Sequence, residues 1–278
     1  MNELGIVSYT YLGYSVKDMA RDMALNGLTL VQLDPRQPGV LEGYDDKKAR
    51  AREVCEIFAE HGVRIVALSG YCNLSDPDPK RRAENISMLD AMLEMSSAFG
   101  TALVATETGS RHPSNQWADH PENHTAEAWE ELLQTVEHLQ KTAVACQRTI
   151  LIEGYVNNVI NTPAAAHRLI EELGGDGLGC ILDACNYMTL EDLEAQHEAL
   201  DRIFGEVAEF APVAHAKDVV YTPKGISTPR PGKGELNWPE YAKRLAEHPA
   251  MPLLLEHLQP EDIEECVAFV KKAFDGGR

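Results

Sequence analysis

The sequence predicts a single-domain α/β fold, a (βα)8 TIM barrel over residues 1–278, and three observations carry that prediction. Short apolar segments alternate with longer amphipathic ones, eight of each, with no linker or composition shift between them, which is the pattern of a parallel α/β fold. In the second half, four apolar runs stop on a metal-competent side chain: Ile150-Leu151-Ile152-Glu153, Cys180-Ile181-Leu182-Asp183, Pro212-Val213-Ala214-His215 and Leu253-Leu254-Leu255-Glu256. Their ends are 30, 32 and 41 residues apart, about one strand, helix and return loop each, so they are expected to share the C-terminal rim of a parallel sheet. No GxGxxG follows the first strand, where an open nucleotide-binding sheet would carry it.

Taken in order, Leu4 to Ser8 reads as strand one and Val16 to Leu25 as a helix stopped by Asn26-Gly27. Leu28 to Leu33 is strand two, and Asp45 to His61 a charged amphipathic helix ended by Gly62. Val63 to Leu68 is strand three. Pro79 to Phe99 is a helix, apolar at Ile86, Leu89, Met92, Leu93 and Phe99 and ended by Gly100. Leu103 to Thr106 is strand four, with Glu107 at its end. From Glu107 to Asn123 runs a loop long enough to read as a binding loop or lid, containing His112, Trp117 and His120. Thr125 opens the next helix, to Cys146, and Thr149 begins the strand that carries Glu153. Thr162-Pro163 starts a helix that ends at Gly174-Gly175. After the strand ending at Asp183 come a helix from Leu190 to Phe210 and the strand ending at His215. A long loop from Val219 to Asn237, a helix through Leu245, the strand ending at Glu256 and a helix from Pro260 to Phe274 complete the chain.

Composition narrows the function classes. With 44% hydrophobic and 25% charged residues the chain reads as an ordinary globular protein, and its net charge of -19 repels phosphate backbones and anionic lipid. Neither nucleic acid nor a membrane is an expected partner. Met1-Asn2-Glu3-Leu4-Gly5 has no basic or apolar targeting segment and no apolar run approaches the ~18 residues of a membrane span, so a cytoplasmic protein is expected. The six cysteines are scattered without a CxxC pair and read as reduced thiols, with Cys185 near the site.

Two glutamates, an aspartate and a histidine meeting at one rim are hard oxygens plus one imidazole, the ligand set of one divalent cation, Mn2+ first, with Mg2+, Co2+ and Zn2+ also suited. Strand alternation puts Lys217 on the face of His215, where it is expected to bind a substrate oxygen, the alternative being an ion pair with Asp218 or Glu153. Glu107 is a further polar contributor at that rim. Asn157 and Asn158 read as turn formers, and His112, His120 and His124 as solvent-facing loop residues. Trp117 or Trp238 is expected to cover the apolar face of a substrate.

These residues resemble the xylose isomerase-like barrel superfamily, which holds sugar (phosphate) isomerases and epimerases, D-tagatose/psicose 3-epimerases, hydroxypyruvate isomerase, inosose dehydratase and endonuclease IV. Ile152-Glu153, Leu182-Asp183, His215-Ala216-Lys217-Asp218 and Leu255-Glu256 look like the family's Glu, Asp, His, Glu metal set on strands five to eight. Pro231-Gly232-Lys233-Gly234-Glu235-Leu236-Asn237-Trp238 looks like its glycine-rich segment before the penultimate helix. The resemblance implies a metal-dependent isomerase or epimerase of a sugar or sugar phosphate. Glu153 and Glu256 would then be the catalytic carboxylates, acting through a metal-stabilised cis-enediolate. The alternative is a lyase or dehydratase of a keto-sugar or keto-inositol on the same metal, and a non-catalytic sugar sensor is a third reading. The expected partner is a small sugar, and barrels of this type often pair as homo-oligomers.

The chain departs from the family pattern in two places. Asn186 stands where many epimerases carry a histidine three residues past the strand-six aspartate, and is expected to face substrate. Ser69 and Glu107 end strands three and four where endonuclease IV needs histidines, which argues against abasic-site cleavage. Arg230 and Lys233 are the cationic pair read in a rim loop, and no phosphate cradle is evident.

Overall fold

Among the described residues ten strands form in chain order: Leu4–Val7 (β1), Leu30–Leu33 (β2), Arg64–Ser69 (β3), Leu103–Glu107 (β4), Thr149–Glu153 (β5), Leu178–Leu182 (β6), Val213–Ala216 (β7), Val220–Thr222 (β8), Gly225–Ser227 (β9) and Leu253–Leu255 (β10). All but β8 and β9 pair in parallel and close into an eight-stranded barrel, in which β10 sits between β7 and β1. The structure is a computed structural model and describes residues 2–223 and 225–276. It is the (βα)8 barrel that the alternation predicts.

Among the described residues ten helices form, of which α6 is wholly buried: Val16–Leu25 (α1), Lys47–Glu60 (α2), Pro79–Met95 (α3), Ala126–Cys146 (α4), Pro163–Leu173 (α5), Ala184–Tyr187 (α6), Leu190–Glu194 (α7), Gln196–Val207 (α8), Trp238–Ala246 (α9) and Ile263–Gly276 (α10). Polar side chains start them by accepting a backbone N–H in the first turn, among them Ser15 for α1, Asp46 for α2, Thr125 for α4 and Thr162 for α5. Gly100, at φ 75°, takes the left-handed turn after the 3-10 segment Ser96–Phe99 that extends α3.

Two expectations need correction. The stretch 190–210 is two helices and a closing 3-10 turn, with α6 ahead of it. A capping box between Thr189 and Asp192 starts α7, and Ala195, at φ -128° and ψ 49°, breaks the path before α8. The stretch read as a loop from Val219 to Asn237 contains the antiparallel hairpin β8–β9, pairing Val220 with Ser227 and Thr222 with Gly225.

Side-chain alternation sets the level of the site. Val7, Leu30, Ala105, Leu151, Ile181, Val213 and Leu254 pack against one another inside the barrel, apart from the larger core between strands and helices. Two residues further along each strand, the next inward side chain is Tyr9, Gln32, Glu107, Glu153, Asp183, His215 or Glu256. In β3 an extra residue opposite Val31 and Gln32 shifts the register, so that Ala67 pairs with Gln32 and Ser69 arrives at this level. A dry apolar ring therefore floors a polar ring at the C-terminal mouth, where barrel enzymes place their chemistry.

Candidate metal centre

Within the polar ring, one donor atom from each of Glu153, Asp183, His215 and Glu256 lies within 4.8 Å of the other three, and all four residues are buried. His215 Nδ1 is 3.5 Å from Glu153 Oε2, 3.8 Å from Asp183 Oδ2 and 3.7 Å from Glu256 Oε1. The two glutamates come from strands separated by β6 and β7, so they approach this point from different sides.

Each side chain is held by its surroundings through at least one of its polar atoms, and Glu153 through both. Asp183 Oδ1 accepts the Asn186 backbone N–H at 3.2 Å and starts α6. Glu153 Oε1 accepts from Asn186 Nδ2 at 2.5 Å, and its Oε2 accepts from the Tyr71 hydroxyl. Glu256 Oε2 accepts from the Tyr9 hydroxyl at 3.3 Å, and His215 Nε2 meets Gln32 Oε1 at 3.1 Å. Asp183 Oδ2 and Glu256 Oε1 are buried and held by the Lys217 ammonium at 2.8 and 2.6 Å, while the buried His215 Nδ1 makes no hydrogen bond. A buried polar atom left so costs about 1–3 kcal/mol, and one that faces three carboxylates in a cluster within 4.8 Å marks a place that a cation fits. Hard oxygens with one imidazole fit a divalent ion.

The electrostatics are those of concentrated negative charge. Burial opposes ionisation of Glu153, yet His215 and Lys217 outweigh it and hold the carboxyl below its ordinary range. Glu256 is likewise held well below that range, by Lys217 and then His215 against the cost of burial. For Asp183 burial wins over Lys217, and the flanking glutamates add to it, pushing the carboxyl up to about 8. Burial pulls His215 down, but Glu153 and Glu256 carry it up to about 9.

Lys217 lines the cavity, and its ion pairs are with Asp183 (2.8 Å) and Glu256 (2.6 Å), not with Asp218 or Glu153. Asp218 turns away and gathers the glycine-rich loop, accepting the N–H groups of Gly232 and Leu236 and the Trp238 indole at 2.9, 2.9 and 3.0 Å. Trp238 is thus core and not a substrate cover. Cys185 is buried behind Lys217 and contacts its carbonyl oxygen.

Above the four groups opens a cavity of about 350 Å³ walled by Tyr9, Tyr71, Trp117 and Tyr155, with Glu107, Asn186 and Lys217 also facing it. Glu107 accepts from Gln116 Nε2 (2.5 Å) and Trp117 Nε1 (3.0 Å), and burial with the nearby Glu153 raises it to about 8. Asn157 and Asn158 are fasteners for this loop: their amides bond the carbonyls of Trp117 (3.1 Å) and Gln116 (3.0 Å). His112 and His120 are half-buried and cap turns within it, and only His124 is exposed. Arg230 and Lys233 pair with Asp262 and Glu265 on the last helical segment and do not line the cavity.

Sequence reasoning missed Tyr9, Gln32, Arg36 and Tyr71. For Tyr9 and Gln32 the available signal was the rule found for the ligands, a polar residue two positions beyond an inward apolar one. Arg36 and Tyr71 lie in loops past the strand ends, and no spacing rule reaches them.

Among curated proteins no sequence matches significantly. Among solved structures, 3-keto-D-glucoside 4-epimerase YcjR from E. coli superposes with a TM-score of 0.76 at 15% identity, covering 98% of this chain and 100% of that one. The probable 3-DHS dehydratase AsbF of petrobactin synthesis, from Bacillus anthracis, gives 0.72 at 14% identity over 99% of both chains. The IOLI protein with a binding zinc atom gives 0.71 at 17% identity, covering 99% of this chain and 97% of that one. At these identities the likeness is one of fold. The sequence model of the xylose isomerase-like TIM barrel family matches residues 20–273, nearly the whole barrel, and the chain belongs to that family.

Proposed function

We propose that the chain is a divalent-metal-dependent isomerase or epimerase acting on a sugar or sugar phosphate, with Glu153, Asp183, His215 and Glu256 as metal ligands. The observation that carries the reading is the convergence of four buried donor groups, His215 Nδ1 among them without a hydrogen bond, beneath an aromatic-walled cavity. When bound, the cation, Mn2+ by first preference, supplies positive charge to a carbonyl and its neighbouring hydroxyl and so acidifies the C–H between them. Glu153, kept ionised by His215 and Lys217 and aimed by Tyr71 and Asn186, takes that proton. Glu256, on the other side of the centre and kept ionised by Lys217, takes the proton from a substrate whose C–H points to the opposite face, and the carboxylate that has gained the proton returns it to carbon. Lys217, Glu107 and Asn186 present donors to the substrate's remaining oxygens. Of the two arginine and lysine side chains that line the cavity among the described residues, Lys217 is held by two carboxylates and Arg36 by both oxygens of Asp34 at 2.8 Å. That balance favours the unphosphorylated sugar.

One observation favours a second reading, elimination by a lyase or dehydratase. Glu107, raised to about 8, carries its proton at neutral pH while facing the cavity, where it can protonate a leaving hydroxyl or glycosyl oxygen.

The test is a panel of free and phosphorylated ketoses and keto-glycosides incubated in D2O with Mn2+-loaded protein and followed by NMR. Deuterium at the carbon beside the carbonyl with an isomeric product supports the first reading, and a dehydrated or cleaved product the second. Exchange in no substrate of the panel overturns both. Glu153→Gln and Glu256→Gln should each lower exchange by about 10²-fold or more while the circular dichroism of the barrel is retained.

A further inference from the structure

The four ligands come from β5, β6, β7 and β10, which leaves the polar ring above β2 and β3 without a role. Gln32, fully buried in that ring, reaches 3.1 Å to His215 Nε2 through its carbonyl oxygen. Its amide nitrogen donates to Ser69 Oγ at 3.0 Å and to the Tyr71 hydroxyl at 3.4 Å, and that hydroxyl donates to Glu153 Oε2. We infer that Gln32 is a positioning residue of the metal centre, fixing which nitrogen of His215 faces the cation and, through Tyr71, where Glu153 Oε2 stands.

Hydrogen-bond donors and acceptors around the amide permit one orientation. The Tyr71 proton is committed to Glu153, so towards Gln32 that hydroxyl can only accept, and the NH2 end of the amide must face it. The carbonyl is then left for His215 Nε2, which must carry a hydrogen to bond it. With Nε2–H donated, the lone pair of a neutral ring lies on Nδ1, the atom that faces all three carboxylates and makes no hydrogen bond. A flipped amide would place N–H against Nε2, move the ring hydrogen to Nδ1 and close the histidine to a cation. Ser69 holds the amide from its far side, and the register shift in β3 is what brings Ser69 there. Partners of this kind typically change metal affinity by 10–100-fold when removed.

The inference rests on the metal reading above and is tested on metal-free protein titrated with Co2+, reading the dissociation constant and the visible spectrum of the bound ion. Gln32→Met, which keeps the length but offers His215 only a weak thioether acceptor, should weaken Co2+ about 10–100-fold. Gln32→Glu, which restores an acceptor for Nε2–H, should bind at least tenfold more tightly than Gln32→Met and return the wild-type spectrum. If Gln32→Met does not fold, Ser69→Ala takes its place, with a several-fold loss expected. Loss of thermal stability with wild-type Co2+ affinity and spectrum in Gln32→Met, or in Ser69→Ala where that variant stands in, would make the network merely structural and overturn the inference. Failure of wild-type protein to bind Co2+ would overturn the metal reading itself and this inference with it, whereas a wild type that binds beside an unaffected Gln32→Met defeats the positioning role alone.

Discussion

Glu107 shows how one buried side chain turns position into a measurable pH dependence. Its unfolded carboxyl titrates near ~4.3, whereas in the folded chain burial, reinforced by Glu153, raises it to about 8. Between those values the folded state holds a proton that the unfolded state has released. Stability therefore falls as pH climbs through the window, and the loss is complete above the folded value. Glutamine has no proton to lose and keeps an acceptor for Gln116 or Trp117. With metal chelated, the melting temperature of Glu107→Gln relative to wild type should rise by on the order of several °C between pH 5 and pH 8.5. A difference that does not change with pH would show that Glu107 is ionised throughout. At this scale the site was half legible. Glu153, Asp183, His215 and Glu256 each end an apolar run, so burial and position could be read together. Gln32 lies one residue inside its run, between Val31 and Leu33, and Tyr71 gains its role from a loop path that no local pattern encodes.

At the level of elements, the loop after β4 depends on side chains from the loop after β5. Asn158, fully buried, accepts the Gly109 N–H at 3.2 Å and donates to the Gln116 carbonyl at 3.0 Å, while Asn123 bonds the Asn157 carbonyl at 2.8 Å. These bonds, with those of Arg111 to Glu131 and of Gln116 and Trp117 to Glu107, hold the segment down, and losing one lowers its local opening free energy. Asn158→Ala should therefore speed tryptic cleavage after Arg111 by about tenfold without changing the far-UV circular dichroism, since ~1.4 kcal/mol of local stability is a factor of ten. Cleavage at the wild-type rate would show that the loop is held elsewhere. The same variant should raise KM more than it lowers kcat, because Trp117 forms a wall of the cavity and touches none of the four central groups. Sequence located this loop by its length, but read Asn157 and Asn158, in the loop after β5, as turn formers because the bonds that tie the two loops join residues more than 30 positions apart. The hairpin β8–β9 escaped for a different reason: strands of three residues are too short to display alternation.

For the molecule as a whole, the barrel was readable because eight alternations must close, and what could not be read was the charge balance that closure creates. The chain carries a net -19, and at its centre three buried carboxylates face the cations of Lys217 and His215. Two consequences of adding a divalent cation must be separated. Diffuse screening of surface charge would stabilise any variant and would vanish in high salt, where the Debye length falls to about 3 Å at 1 M. Binding at the buried centre stabilises only the folded state with its ligands in place, by about 2.7 kcal/mol at one hundred times the dissociation constant. For a chain of this size that corresponds to a rise of roughly 5–10 °C in melting temperature. Mn2+ added to chelator-treated protein in 0.5 M NaCl should produce that rise in the wild type and in His124→Ala, whose histidine is exposed and pairs with Asp119. His215→Ala should lose it, because the only nitrogen donor among the four central groups is gone. A rise of equal size in His215→Ala would assign the stabilisation to the acidic surface and leave the four buried donor groups without their cation.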